Sequence, residues 1–93
     1  MADSAFKALA DPTRREILRL LSEGDLPAGE LGARFDISQP AVSRHLAVLR
    51  AAGLVSARRE GQNVMYSLDT TVVQDVVRTL LDLGKRKKSG GRR

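Results

Sequence analysis

Apolar positions recur at helical spacing through most of this chain. Val42, Leu46 and Leu49 stand at i, i+4 and i+7, the stripe a packed helix buries. Gln39, Ser43 and Ala47 fall on a different face of the same segment, with short polar groups and little bulk. Upstream, Ser4 to Leu9 predicts a short helix with Ala5, Phe6 and Leu9 apolar. Asp11-Pro12-Thr13 then restarts the chain, with Asp11 as N-cap and Pro12 in the first turn, where its missing N–H costs nothing. Ile17, Leu18, Leu20 and Leu21 form the buried stripe of this second helix, and Gly24 ends it. A third helix is predicted over 28–34, with Leu31 and Phe35 turned inward. Asp36-Ile37-Ser38 makes the turn, Ser38 caps the next helix, and Gly53 stops it.

Beyond Gly53 the pattern changes. Two strands are predicted over 54–58 and 64–68, the second carrying Val64, Met65 and Tyr66. Between them Arg59-Glu60-Gly61-Gln62-Asn63 has the polarity and the glycine of a hairpin tip. A last helix, over 71–83, has an apolar face wider than one small domain covers. Part of that face reads as a dimer seam of Val73, Val76, Val77, Leu80 and Leu81, shared with Phe6 and Leu9. The alternative is that both rows cover the domain's own core. The expected fold is therefore mainly α with a small β-hairpin (α+β), in the order ααααββα. It is a helix-turn-helix followed by a wing, paired through its first and last helices.

Length adds a bound: 93 residues fit one domain. A domain of this size buries only about 60–65% of its unfolded surface, so it gains from dimerisation. Residues 1–84 are expected to form that domain, and 85–93, a run of bases with glycine and serine, a disordered tail. The absence of cysteine excludes disulfides, thiolate metal sites and a cysteine nucleophile. No apolar run approaches the roughly 18 residues of a membrane span, and no signal-peptide pattern opens the chain.

The net charge of +5 changes meaning once it is located. The tail holds Lys85, Arg86, Lys87, Lys88, Arg92 and Arg93, and the rest of the chain has ten bases against eleven acids. Only 37–66 is net positive before the tail, through Arg44, Arg50, Arg58 and Arg59 against Glu60. The folded part's basic surface thus coincides with the second helix of the turn and the hairpin, as a nucleic-acid footprint would.

The candidate chemistry is recognition. Gln39 can bond adenine N6 and N7 together, Ser43 can reach a base or a phosphate, and Pro40 can touch a thymine methyl. Spacing alone leaves this face equally compatible with an ordinary solvated one. Arg58, Arg59 and Gln62 can bind phosphate or enter a minor groove, or be plain hairpin polarity. The tail bases either add sequence-blind, salt-dependent affinity or only solubilise the chain end. Arg14, Arg15 and Arg19 read as a solvated or rim face, with a phosphate contact as the minor alternative. His45, the sole histidine, is expected to pack or hydrogen-bond beneath its helix, ahead of a phosphate contact. It has no partner for acid–base work, and no nucleophile arrangement or phosphate loop is visible, so no enzyme is expected.

Three strings carry a family resemblance: FKALADPTRREILRLL (6–21), GELGARFDISQPAVSRHLAVLRAAGLV (29–55) and REGQNVMYSL (59–68). With the closing helix they cover about 4–83, and in this order they resemble the ArsR family of winged helix-turn-helix transcriptional regulators. The resemblance implies a cytoplasmic homodimer joined by its first and last helices, bound to an inverted-repeat operator in double-stranded DNA, usually as a repressor. It places Ser38, Gln39, Pro40, Ser43 and Arg44 at the DNA. The sequence departs from the metal-sensing branch, because 26–32 has no thiol and the last helix offers only Asp75 and Asp82 without histidine. Zn²⁺ or Ni²⁺ sites generally recruit nitrogen or sulfur, so no metal or other cofactor is expected. The remaining alternatives are a metal-responsive regulator with non-cysteine ligands at the dimer interface and a winged-helix protein–protein module.

Overall fold

The computed structural model describes the backbone of residues 2–90 and the side-chain surroundings of residues 3–85. Its elements are α1 (Ala2–Leu9), α2 (Pro12–Ser22), β1 (Leu26–Pro27), α3 (Ala28–Ala33), α4 (Gln39–Ala51), β2 (Val55–Glu60), β3 (Asn63–Leu68) and α5 (Thr70–Gly90). Mainly helical, it has a small antiparallel sheet in the order β1-β3-β2.

The helix starts follow from their caps. Asp11 accepts from the backbone N–H of Thr13 at 2.8 Å and of Arg14 at 3.1 Å, and Pro12 opens α2. Ser38 accepts from the N–H of Ala41 at 3.2 Å and starts α4. The end of α4 has the Schellman pattern. Gly53, at φ +78°, donates to Arg50, and Leu54 donates to Leu49, each at 3.0 Å. Leu49 and Leu54 are both buried there, the apolar pair that accompanies this cap.

α1 ends without such a glycine, and arginines of α2 close it instead. Arg14 donates from Nε to the carbonyl of Ala8 at 2.7 Å and from Nη2 to that of Lys7 at 3.2 Å. Arg15 donates to the Leu9 carbonyl at 2.7 Å. These two are therefore not a free solvated row: they satisfy the orphan carbonyls of a helix end. Arg19 does lie on the surface, paired with Glu16 and Glu23.

Ile17, Leu31, Val42, Leu49 and Leu54 form the fully buried centre, with Ala5, Ala8, Leu20, Leu21, Leu46 and Val55 around them. The expected stripe of α2 divides: Ile17, Leu20 and Leu21 are buried, while Leu18 turns toward a groove beside α5.

Three boundaries differ from expectation. β1 is an added third strand, whose residues Leu26 and Pro27 pair with Tyr66 and Met65. Two residues show no periodicity, and proline is tolerated because β1 lies at a sheet edge. The hairpin tip is shorter than five residues: Glu60 pairs with Asn63, leaving Gly61 and Gln62 as the loop. Gly61 has φ +62°, the glycine-first arrangement a type II′ hairpin turn uses. α5 continues beyond Leu83 to Gly90. A single glycine at 84 costs only about 1 kcal/mol in a helix and does not end it. The last three residues of the expected tail, 91–93, lie outside the described residues.

Candidate nucleic-acid interface

α3 and α4 form the helix-turn-helix, and α4 divides into two faces. Val42, Leu46 and Leu49 are buried. Ser38, Gln39, Pro40, Ser43, Arg44 and Ala47 are all exposed. The division follows from helical spacing, since burying one stripe turns the other outward. Ser38 has a structural task as N-cap, and Pro40 lies in the first turn. The Gln39 amide leans back onto α3: a Cβ at Gly32 would fall 2.8 Å from its Nε2 and 2.9 Å from its Cδ. The missing side chain of Gly32 makes that resting position available.

His45 is half-buried, and its Nδ1 lies 3.4 Å from Nη1 of Arg14. A guanidinium only donates, so Nδ1 is the acceptor side of this contact. The contact is long. It nevertheless joins α4 to the arginine that closes α1. Asp11 lies nearby, its carboxyl held below the usual range, first by the backbone N–H of Arg14.

The wing's two arginines differ. Arg58 donates from Nη1 to Asp25 at 3.1 Å and to the Ser67 hydroxyl at 2.8 Å, and from Nε to Glu60 at 2.8 Å. Two carboxylates already neutralise it. Arg59 and Gln62 are exposed, and among the described residues neither Arg44 nor Arg59 forms an ion pair. Sequence periodicity offered no signal for the Arg58 network, because Asp25 is 33 positions away.

The expected dimer seam also divides. Val76 is only 7% exposed and packs in the core of its own chain. It lies between Ala5, Ala52 and Gly53 on one side and a groove lined by Leu9, Val73 and Leu80 on the other. Phe6, Leu9 and Val73 are half-buried against that core. Val77, Leu80, Leu81 and Leu83 are 48%, 54%, 63% and 59% exposed. A groove of about 400 Å³ adjoins them, lined chiefly by apolar side chains including Leu9, Leu18, Val73 and Leu80.

No three of His, Cys, Asp and Glu cluster among the described residues. Asp75 is paired with Arg78 at 2.9 Å. No helix among the described residues is long and apolar enough to cross a membrane.

Comparison with known proteins gives the same architecture a lineage. Residues 11–57 match the model of the bacterial regulatory protein arsR family. The transcriptional repressor SdpR of Bacillus subtilis is 48% identical over 86% of this chain and 89% of its own length. The transcriptional activator HlyU of Vibrio cholerae is 45% identical over 81% of this chain and 69% of its own. An ArsR-like transcriptional regulator from Rhodococcus superposes with a TM-score of 0.85 at 34% identity, covering 95% of this chain and 83% of that one. With a family match over its helix-turn-helix and relatives along nearly its whole length, the chain belongs to the arsR family of winged-helix regulators, DNA-binding proteins of transcription and not enzymes.

Proposed function

We propose that this protein is a cytoplasmic homodimeric repressor that occupies an inverted-repeat operator in double-stranded DNA. The observation that carries this reading is the split of α4, with Val42, Leu46 and Leu49 buried and Gln39, Ser43 and Arg44 exposed. Gln39, swung away from Gly32, and Ser43 would meet base edges in the major groove. Pro40 would touch a thymine methyl, Ser38 and Arg44 would fix the helix on the backbone, and Arg59 and Gln62 would reach the flanking backbone or minor groove.

Pairing through α1 and α5 would cover the exposed Val77, Leu80 and Leu81. It would also set two reading helices about 10–10.5 bp apart in successive major grooves. Repression follows from occupancy, since a dimer seated over a promoter blocks polymerase, and the similarity to the repressor SdpR supports that direction. The similarity to the activator HlyU favours one second reading, in which the same dimer beside a promoter recruits transcription. Release can come from an effector at the dimer interface, from a partner protein, or from falling concentration under autorepression.

Equilibrium binding to duplex DNA across a salt series tests the reading. Affinity should fall linearly with rising salt on logarithmic axes, and Arg44→Ala should weaken it at every concentration. A flat salt response, with Arg44→Ala unchanged, would fit a protein–protein module instead.

A further inference from the structure

Arg58 and Arg59 are adjacent in β2, so strand alternation points them to opposite faces of the sheet. Arg59 pairs with Val64 on the face that also carries Val55, Ala57 and Tyr66. Arg58 pairs with Met65 on the other face, with Ser56, Ser67 and Glu60. Because Leu26 pairs with Tyr66, Asp25 enters the sheet opposite Ser67 on that same face. The guanidinium of Arg58 thus spans the sheet, from Glu60 at the tip of β2, across Ser67 of β3, to Asp25 at the entrance of β1.

We propose that Arg58 is a positioning residue of the wing. Its bridge to Asp25 and Ser67 ties the hairpin to the body and sets the angle at which Arg59 and Gln62 meet DNA, without itself gripping phosphate. The inference rests on the reading of the wing as a DNA contact.

Three physical points support it. A two-stranded hairpin is marginal alone, and β1 gives only two residues of pairing to a third strand. A side-chain tie at that edge therefore adds a constraint the backbone ladder lacks. Next, Arg58 with Asp25 and Glu60 carries one positive charge against two negative, so this patch offers phosphate no net attraction and little counterion release. Finally, Ser67 and then Arg58 hold the Asp25 carboxyl below its usual range, which keeps it ionised in the bridge.

The test exploits a reversal of sign. Asp25→Asn removes a negative charge from a DNA-binding protein, so unaided electrostatics would tighten binding. Positioning predicts the opposite: binding about two- to fivefold weaker, the range of an exposed ion pair, with an unchanged salt slope. The probe is a duplex carrying the site recovered from random DNA, with thermal melting confirming that each variant is folded. Arg58→Lys keeps the charge but cannot reach three acceptors with a planar fork, so it should weaken binding as Arg58→Ala does. Combining Asp25→Asn with Arg58→Ala should add nothing to Arg58→Ala alone.

Tighter binding by Asp25→Asn, or an Arg58→Ala salt slope reduced by about one with Arg58→Lys behaving as wild type, would overturn the proposal. Arg59→Ala, expected to lower the slope by about one, separates this failure from that of the underlying reading. If Arg59→Ala changes nothing, the wing does not contact DNA at all.

Discussion

Gln39 and Gly53 each place a testable role on a single residue, one in the proposed recognition and one in folding. Gln39 rests its amide against Gly32, and the proposed base contact requires it to swing outward. Gln39→Ala is expected to relax preference at one or two base pairs, by about 1–3 kcal/mol per lost bidentate contact. Competition binding against single-base operator variants measures this, and unchanged discrimination would remove Gln39 from the reading set. Gly53 holds φ +78° in the cap of α4, so Gly53→Ala should destabilise the fold by roughly 1–2 kcal/mol in urea unfolding. An added Cβ there meets only Val72 at an ordinary 3.6 Å, so the cost is conformational, not steric. Asp11 adds a pH dependence. Its folded pKa is depressed, chiefly by the Arg14 N–H it accepts, so its contribution is present above the unfolded carboxyl value and lost as pH falls through the folded one. The melting temperature should therefore drop on acidification below about pH 4, and less steeply in Asp11→Asn; identical profiles would deny Asp11 this role.

At the scale of elements, what the sequence made legible was whatever repeats or caps locally. The two faces of α4 were legible because Val42, Leu46 and Leu49 recur at helical spacing, and its ends because Ser38 and Gly53 are strong local signals. β1 was not, since two residues carry no period and owe their strand character to Tyr66 and Met65 across the sheet. The partners of Arg14 and Arg58 were not legible for a related reason. Those partners, the carbonyls ending α1 and the carboxyl of Asp25, come near only once the chain has folded. The apolar row of α5 was legible as a surplus, but its division was not: Val76 turns into its own core while Val77, Leu80 and Leu81 remain outside. Leu80→Glu with Leu81→Glu is accordingly expected to give a folded monomer in sedimentation equilibrium, with weaker operator binding. A dimer of wild-type strength would move the interface off α5.

For the whole molecule, the distribution of charge and of apolar surface gives one account. A slightly acidic body is net positive only over 37–66 and leaves its uncovered leucines on α5, so the proposed surfaces for DNA and for a second copy lie on different elements. Two copies joined through α5 present two reading helices related by a two-fold axis, and the DNA they fit must share that symmetry. Selection of bound duplexes from a random-sequence pool measures this directly with the full-length protein. The account predicts recovery of an inverted repeat whose half-sites lie about 10–10.5 bp apart, centre to centre, with base preference concentrated where Gln39 and Ser43 reach. Recovery of no common sequence, or of a single half-site bound by one chain, would contradict it.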